Sequence, residues 1–168
     1  YLNETGHFKK RTFLEKVRDK LKIPVDRDSF NARLLKKANE VDPDIIFVTK
    51  GNLVWPTTIK KIKAGLKSKV INWSQDDMYA VHNRSIFYTL GIKFYDLVVT
   101  QKSYNCDPEE LPSLGVKNIL FQNKSYLPSV HCPKKVRDEY AHSVLFIGTF
   151  EKERAESIKR IADSGIQV

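Results

Sequence analysis

Cysteine is scarce in this chain: two in 168 residues, Cys106 and Cys132. Two thiols cannot build a disulfide scaffold, so reduced cysteines in a cytoplasmic protein are expected. The four histidines, His7, His82, His131 and His142, stand far apart, and without ligand spacing no metal site is expected. No apolar run approaches the roughly 20 residues that cross a bilayer, and no signal-peptide pattern opens the chain. The glycine fingerprint GxGxxG is missing, which argues against a dinucleotide enzyme, and no P-loop motif occurs. The aromatic signature of an RNA-binding sheet and zinc-finger spacing are missing too. The chain begins with Tyr1 in loop-like sequence, and a fragment of a longer protein is expected.

What is present in excess is positive charge: 29 Lys and Arg against 20 Asp and Glu, a formal net charge of +9. Such a balance favours anionic partners. The basic residues gather in "HFKKRTFLEKVRDKLK" and "TTIKKIKAGLKSK", both of helical character, where a solvated helix face is the plain reading. With 41% hydrophobic and 11% aromatic residues the chain can bury a core.

Apolar spacing predicts a helix over 9–22 with Phe13, Leu14, Val17 and Leu21 on one side. A second helix is expected from Asp28, as N-cap, to Glu40, with Phe30, Leu34 and Leu35 inward. Pro43 ends it. "IIFV" (45–48) is a continuous apolar run, the pattern of a strand covered on both faces. Pro56 opens a helix that Gly65 closes, and "KVINW" is the next strand. A helical stretch "NRSIFYTLGIKFY" leads to the strand "DLVVT" (96–100). "DPEELPSLG" has helix-start chemistry in Asp107 and Pro108, and "NILF" (118–121) is a fourth strand. Beyond an irregular stretch, "SVLFIG" (143–148), a helix "EKERAESIKRIADSG" and a short "IQV" restart the rhythm. Strands alternating with helices predict an α/β fold with a Rossmann-like parallel sheet and helices on both faces.

Open parallel sheets bind ligands at the carboxyl ends of their strands. The segments expected on that rim are "TKGN", "SQDD", "TQKS" and "QNKS". They hold Lys50, Asn52, Asp76, Asp77, Lys102, Ser103, Asn123 and Lys124, with Gly51 inside the first segment and Trp73 just before the second. For the two acids three readings stand side by side. They can start a helix, capping its free amides. They can act as a catalytic or substrate-orienting pair, in which two close charges raise one pKa. A metal site fits less well, because consecutive side chains diverge and no third acid is near. Gly148 and Thr149, ahead of a helix with Arg154, form a plausible phosphate-facing turn.

The order of these segments resembles the CgeB-like (spore maturation protein) glycosyltransferases. "PDIIFVTKGNLVWPTTIKKIKAGLKSKVINWSQDD" is similar to the family's strand, loop glycine, helix and Trp-ended strand with paired Asp. "YDLVVTQKSYNCDPEELPSLGVKNILFQ", "YLPSVHCP" and "SVLFIGTFEKERAESIKRIADSGIQV" look like the pieces that follow. The resemblance covers roughly residues 40–168. Met78 stands where proline is frequent in the family.

The resemblance implies a glycosyltransferase of the GT-B type, truncated here at both ends. Residues 1–122 would be the acceptor-side domain, 123–142 an interdomain linker and 143–168 the start of the donor-side domain. Asp76 or Asp77 would be the base or the acceptor-orienting group. Lys50, Gly51, Asn52 and Trp73 would meet substrate, and Gly148, Thr149 and Arg154 the donor diphosphate. Neither cofactor nor metal is expected, the nucleotide-sugar being a substrate, and the partners are that donor and a hydroxyl acceptor. An anionic membrane surface, reached through the basic helices, would make the protein membrane-peripheral in the cytoplasm; nucleic acid is disfavoured. The chain alone is expected to transfer no sugar. The rival expectation is a non-catalytic basic α/β module that binds nucleic acid or an anionic membrane.

Overall fold

The computed structural model describes residues 13–135, 137–138 and 145–166. The chain divides into two compact units, Tyr1–Lys124 and Ser125–Val168. In the first unit the elements run α1 (Phe13–Lys20), α2 (Phe30–Val41), β1 (Ile45–Thr49), α3 (Pro56–Gly65), β2 (Lys69–Ser74), α4 (Ile86–Gly91), β3 (Leu97–Thr100) and β4 (Ile119–Phe121). Short 3-10 turns at Ile92–Phe94, Ser103–Cys106 and Leu111–Leu114 complete the connections. The four strands are parallel and follow chain order across the sheet. This is the α/β, Rossmann-like arrangement that the alternation implied, except that among the described residues α2, α3 and α4 pack on one face of the sheet rather than on both.

Strand order decides where the core lies. Parallel strands in chain order, joined by crossovers of one hand, carry their connections on one face. The core accordingly joins Val70 and Val98 of the sheet to Phe30 and Ala38 of α2, Ile59 and Ile62 of α3, and Tyr88 of α4. Ile46, Val48 and Ile119 pack against the same cluster. The alternate residues of the strands point the other way, and Ile45 and Phe47 are each 57% exposed. "IIFV" is therefore an edge strand with one covered face among the described residues, not a strand buried on both.

Local chemistry explains the helix ends. The cap of α2 is Asp26, not Asp28: its carboxylate accepts from the backbone N–H of Phe30 and of Asn31. Asn31 is buried and fastens α2 to α3, donating to the Leu53 carbonyl (2.9 Å) and accepting from Trp55 N (2.8 Å) and the Thr58 hydroxyl (2.9 Å). Pro56 begins α3, where its missing N–H costs nothing. The expected helix at "DPEELPSLG" is a turn followed by a 3-10 turn. Pro112, four residues after Pro108, lacks the N–H that would continue an α-helix and clashes with the preceding turn.

The second unit holds α5 (Lys152–Asp163). The expected strand 143–148 is absent from its described part: residues 145–148 carry no strand, and residues 143 and 144 lie outside the described residues. Ile166 is not in a strand either, and residues 167–168 lie outside the described residues, as do residues 9–12 of the first expected helix.

Candidate functional site

At the carboxyl end of β1 the chain reverses through two residues of positive φ, Lys50 (58°) and Gly51 (82°). Lys50 N–H donates to the Trp73 carbonyl (2.8 Å), extending the β1–β2 ladder by one residue. A side chain cannot replace the glycine hydrogen at position 51. A Cβ there would lie 2.9 Å from Val48 Cγ1 and 3.1 Å from the Tyr95 hydroxyl. Beneath the turn lies Asn72, fully buried in β2. Its amide donates to the carbonyls of Lys50 (3.1 Å) and Val48 (3.3 Å), and its oxygen accepts from the Tyr88 hydroxyl (3.2 Å). Gly51 thus shapes the rim through its backbone.

Asn52 is held on both sides of its amide. Its Nδ2 donates to the Asn83 carbonyl and its Oδ1 accepts from Ser85 N, both at 2.9 Å. The Ser85 hydroxyl returns to the Asn52 carbonyl (2.6 Å) and also caps α4 by accepting from Tyr88 N (3.0 Å). Asn52 therefore fastens the β1 loop to the segment before α4.

The two acids after β2 separate in role. No helix begins at them; α4 starts at Ile86 with its own cap, so the helix-start reading fails. Asp77 Oδ1 accepts from Tyr79 N (3.0 Å), Ala80 N (3.1 Å) and Asn105 Nδ2 (2.9 Å). Burial pushes its carboxyl up, but the hydrogen bonds from Asn105, Ala80 and Tyr79 and the charge of His82 outweigh this and hold it below the ordinary aspartate range. Asn105 is fully buried and also binds Glu110 Oε2 (3.2 Å) and the Thr100 hydroxyl (3.2 Å). Met78, directly after the acids, is buried in the core and anchors this loop over the sheet.

Asp76 has a different setting. Its Oδ2 lies 2.7 Å from Lys50 Nζ, and the two side chains are 46% and 50% exposed. The pair bridges the carboxyl ends of neighbouring strands, where solvent and ligand can reach it. Trp73 is half-buried on the sheet face opposite the core, its ring 6.4 Å from that of Phe47. Tyr104, which sequence reasoning passed over, stands near Asp77 and Glu110. Burial and then those two carboxylates push its phenol up. The signal for Asn72 was a lone amide inside a β-branched strand; for Asn105 and Tyr104 the sequence carries none beyond nearness to the third rim loop.

In the second unit, Arg154 Nη1 donates to the Thr149 carbonyl (3.0 Å) and Nη2 pairs with Glu151 (3.0 Å). Its guanidinium lies 5.3 Å from the Phe146 ring centroid. Arg154, in α5, thus folds back onto the Thr149 backbone, next to the bend at Gly148.

Among the described residues no group of three or more His, Cys, Asp or Glu is placed to hold a metal ion, and no helix is long and apolar enough to cross a membrane. Part of the basic surface is engaged at home: Lys63 pairs with Asp96 (2.9 Å) and Lys60 lies 4.4 Å over the Phe94 ring. Compared with family models, with curated proteins and with solved structures, the chain finds no match.

Proposed function

We propose that this chain is the acceptor-side part of a glycosyltransferase of the GT-B type, with the start of the donor side attached. The observation that carries the reading is the Lys50–Asp76 pair, 2.7 Å apart across the carboxyl ends of β1 and β2. Ligands of open parallel sheets gather at that edge. In this reading Asp76 orients an acceptor hydroxyl and takes its proton as the oxygen bonds to the anomeric carbon. The glycosidic bond to the nucleoside diphosphate breaks at the same centre. Lys50 holds the carboxylate in place and donates to a further hydroxyl of the acceptor. Asp77 keeps the rim in shape and does not react. No cofactor enters; the nucleotide-sugar is consumed as donor, and the chemistry would take place in the cytoplasm, beside a membrane where the acceptor is lipid-borne.

Titration of the labelled chain with a panel of sugars and polyols tests this reading by NMR. Shifts centred on Lys50 and Asp76, lost in Asp76→Asn and in Lys50→Gln, are expected. A panel that leaves both amides unmoved would sink it. The net charge of +9 favours a second reading, a basic module for an anionic membrane or nucleic acid. Salt-sensitive binding to acidic vesicles or unrelated DNA, without any response to sugars, is its signature.

A further inference from the structure

A cleft of about 200 Å³ opens beside the rim, lined by Lys22, Ile23, Pro24, Asn52 and the run His82–Ser85. Among the described residues that line it, three carry basic side chains, Lys22, His82 and Arg84, and none is acidic. Basic side chains gathered at one cleft favour an anionic ligand.

The walls are built rather than incidental. Ile86 N–H donates to the Lys22 carbonyl (2.9 Å), which pins the preceding turn against the start of α4. Lys22 itself sits at φ 57°, a conformation that side chains other than glycine rarely adopt. Lys22 Nζ reaches the His82 carbonyl at 3.4 Å, a long contact that leaves its other hydrogens for a ligand. Asn83 is fixed by its amide to the Asp77 carbonyl (2.9 Å), and Ser85 by its hydroxyl to Asn52. Arg84 is stacked 4.9 Å from the Tyr79 ring centroid. Its Nη1 is buried and has no hydrogen-bond partner among the described residues. The other guanidinium N–H groups of Arg84, which lines the cleft, are donors suited to an oxyanion. Asp77 feels the charge of His82, but it does not line the cleft and its Oδ1 is committed to Tyr79, Ala80 and Asn105.

We propose that this cleft binds the phosphate group of a small phosphomonoester. Arg84 donates to the phosphate oxygens from its planar guanidinium, Lys22 neutralises further charge and His82 offers a ring nitrogen. At about 30 Å³ per water, the cleft has room for a phosphate and a short polyol. The site stands on its own residues and does not depend on the sugar-transfer reading.

The test is titration of the 15N-labelled chain with inorganic phosphate, glycerol phosphate, glycerol, acetate and vesicles containing phosphatidic acid. Saturable shifts at 22–24 and 82–85 are expected with the first two, glycerol phosphate binding more tightly, and none with glycerol. A response to the vesicles that exceeds glycerol phosphate identifies a lipid as the source of the phosphate; a response to phosphate and glycerol phosphate with none to the vesicles identifies a soluble ester. Arg84→Gln should weaken phosphate binding about tenfold or more, and the exposed Lys22→Gln about threefold. Arg84→Lys, which keeps the charge and loses the fork, should fall between wild type and Arg84→Gln. Shifts spread evenly over all basic segments, equal binding of acetate, or unchanged affinity in Lys22→Gln and both Arg84 variants would each overturn the proposal.

Discussion

Asp77 Oδ1 and Asn105 Nδ2 meet at 2.9 Å, joining the loop after β2 to the loop after β3 across 28 residues of sequence. The same oxygen also takes two backbone amides, so Asp77 is a hub of the rim. Asp77→Ala leaves Asn105 and both amides short of an acceptor and should destabilise the fold by about 2–3 kcal/mol in urea denaturation. Asp77→Asn keeps an acceptor oxygen and should cost roughly half as much. Asp76→Ala removes an exposed ion pair and should stay within about 1 kcal/mol of wild type. Equal losses at the two positions would contradict this division of roles.

Asp96 gives the pH dependence. Burial pushes its carboxyl up, but the hydrogen bonds from Lys63 and Val70 N and the charges of Lys63 and Lys69 hold it below the ordinary aspartate range. Asp77 is lowered too, so both groups bind fewer protons folded than unfolded. The sign follows: their stabilisation is fully present above the ordinary aspartate value of about 3.9 and is lost as pH falls through the lower folded values. Stability should therefore decline on acidification below about pH 4. Asp96→Asn should flatten that decline, as measured by urea midpoints between neutral and acid pH. An unchanged slope would remove Asp96 from the account.

The strands were legible because β-branched runs such as "VINW" and "LVVT" suit little else, and α3 because Pro56 and Gly65 bracket it. The rim position of Asp76 and Asp77 followed from their place at the end of β2. Their roles did not, since Asn105 comes from another loop and no local pattern records that pairing. The cap of α2 was misread because Ser29 turns into the left-handed region, which brings Asp26 rather than Asp28 to the free amides. "SVLFIG" misled for a different reason. An apolar run becomes a strand only with a partner, and residues 145–148 pair with none among the described residues.

Lys50 and Gly51 offer a contrasting pair of substitutions. Both have positive φ, but only Gly51 lacks space for a Cβ. Gly51→Ala should cost about 1–3 kcal/mol through strain and the contact with Val48. Lys50→Gly relaxes a strained backbone while losing an exposed ion pair, so its net effect should lie within about 1 kcal/mol of zero. Thermal melts of the two variants check this, and a Lys50→Gly loss as large as that of Gly51→Ala would show that Lys50 holds the turn by its side chain.

The most consequential buried contact is between Asn72 and Tyr88. Asn72 is fully buried and binds two carbonyls at the end of β1 while accepting the Tyr88 hydroxyl. Burial pushes that phenol well above its ordinary value, so it remains a donor at any pH in which the protein folds. Asn72→Val should destabilise by about 2–4 kcal/mol, because the carbonyls of Val48 and Lys50 and the Tyr88 hydroxyl all lose a partner. Tyr88→Phe removes one bond and should cost about 1–2 kcal/mol. In the double variant the hydroxyl is no longer stranded, so the losses should fall short of additivity by about 1 kcal/mol. Strict additivity in the double-mutant cycle would mean that the Asn72–Tyr88 bond contributes nothing to holding α4 against the sheet.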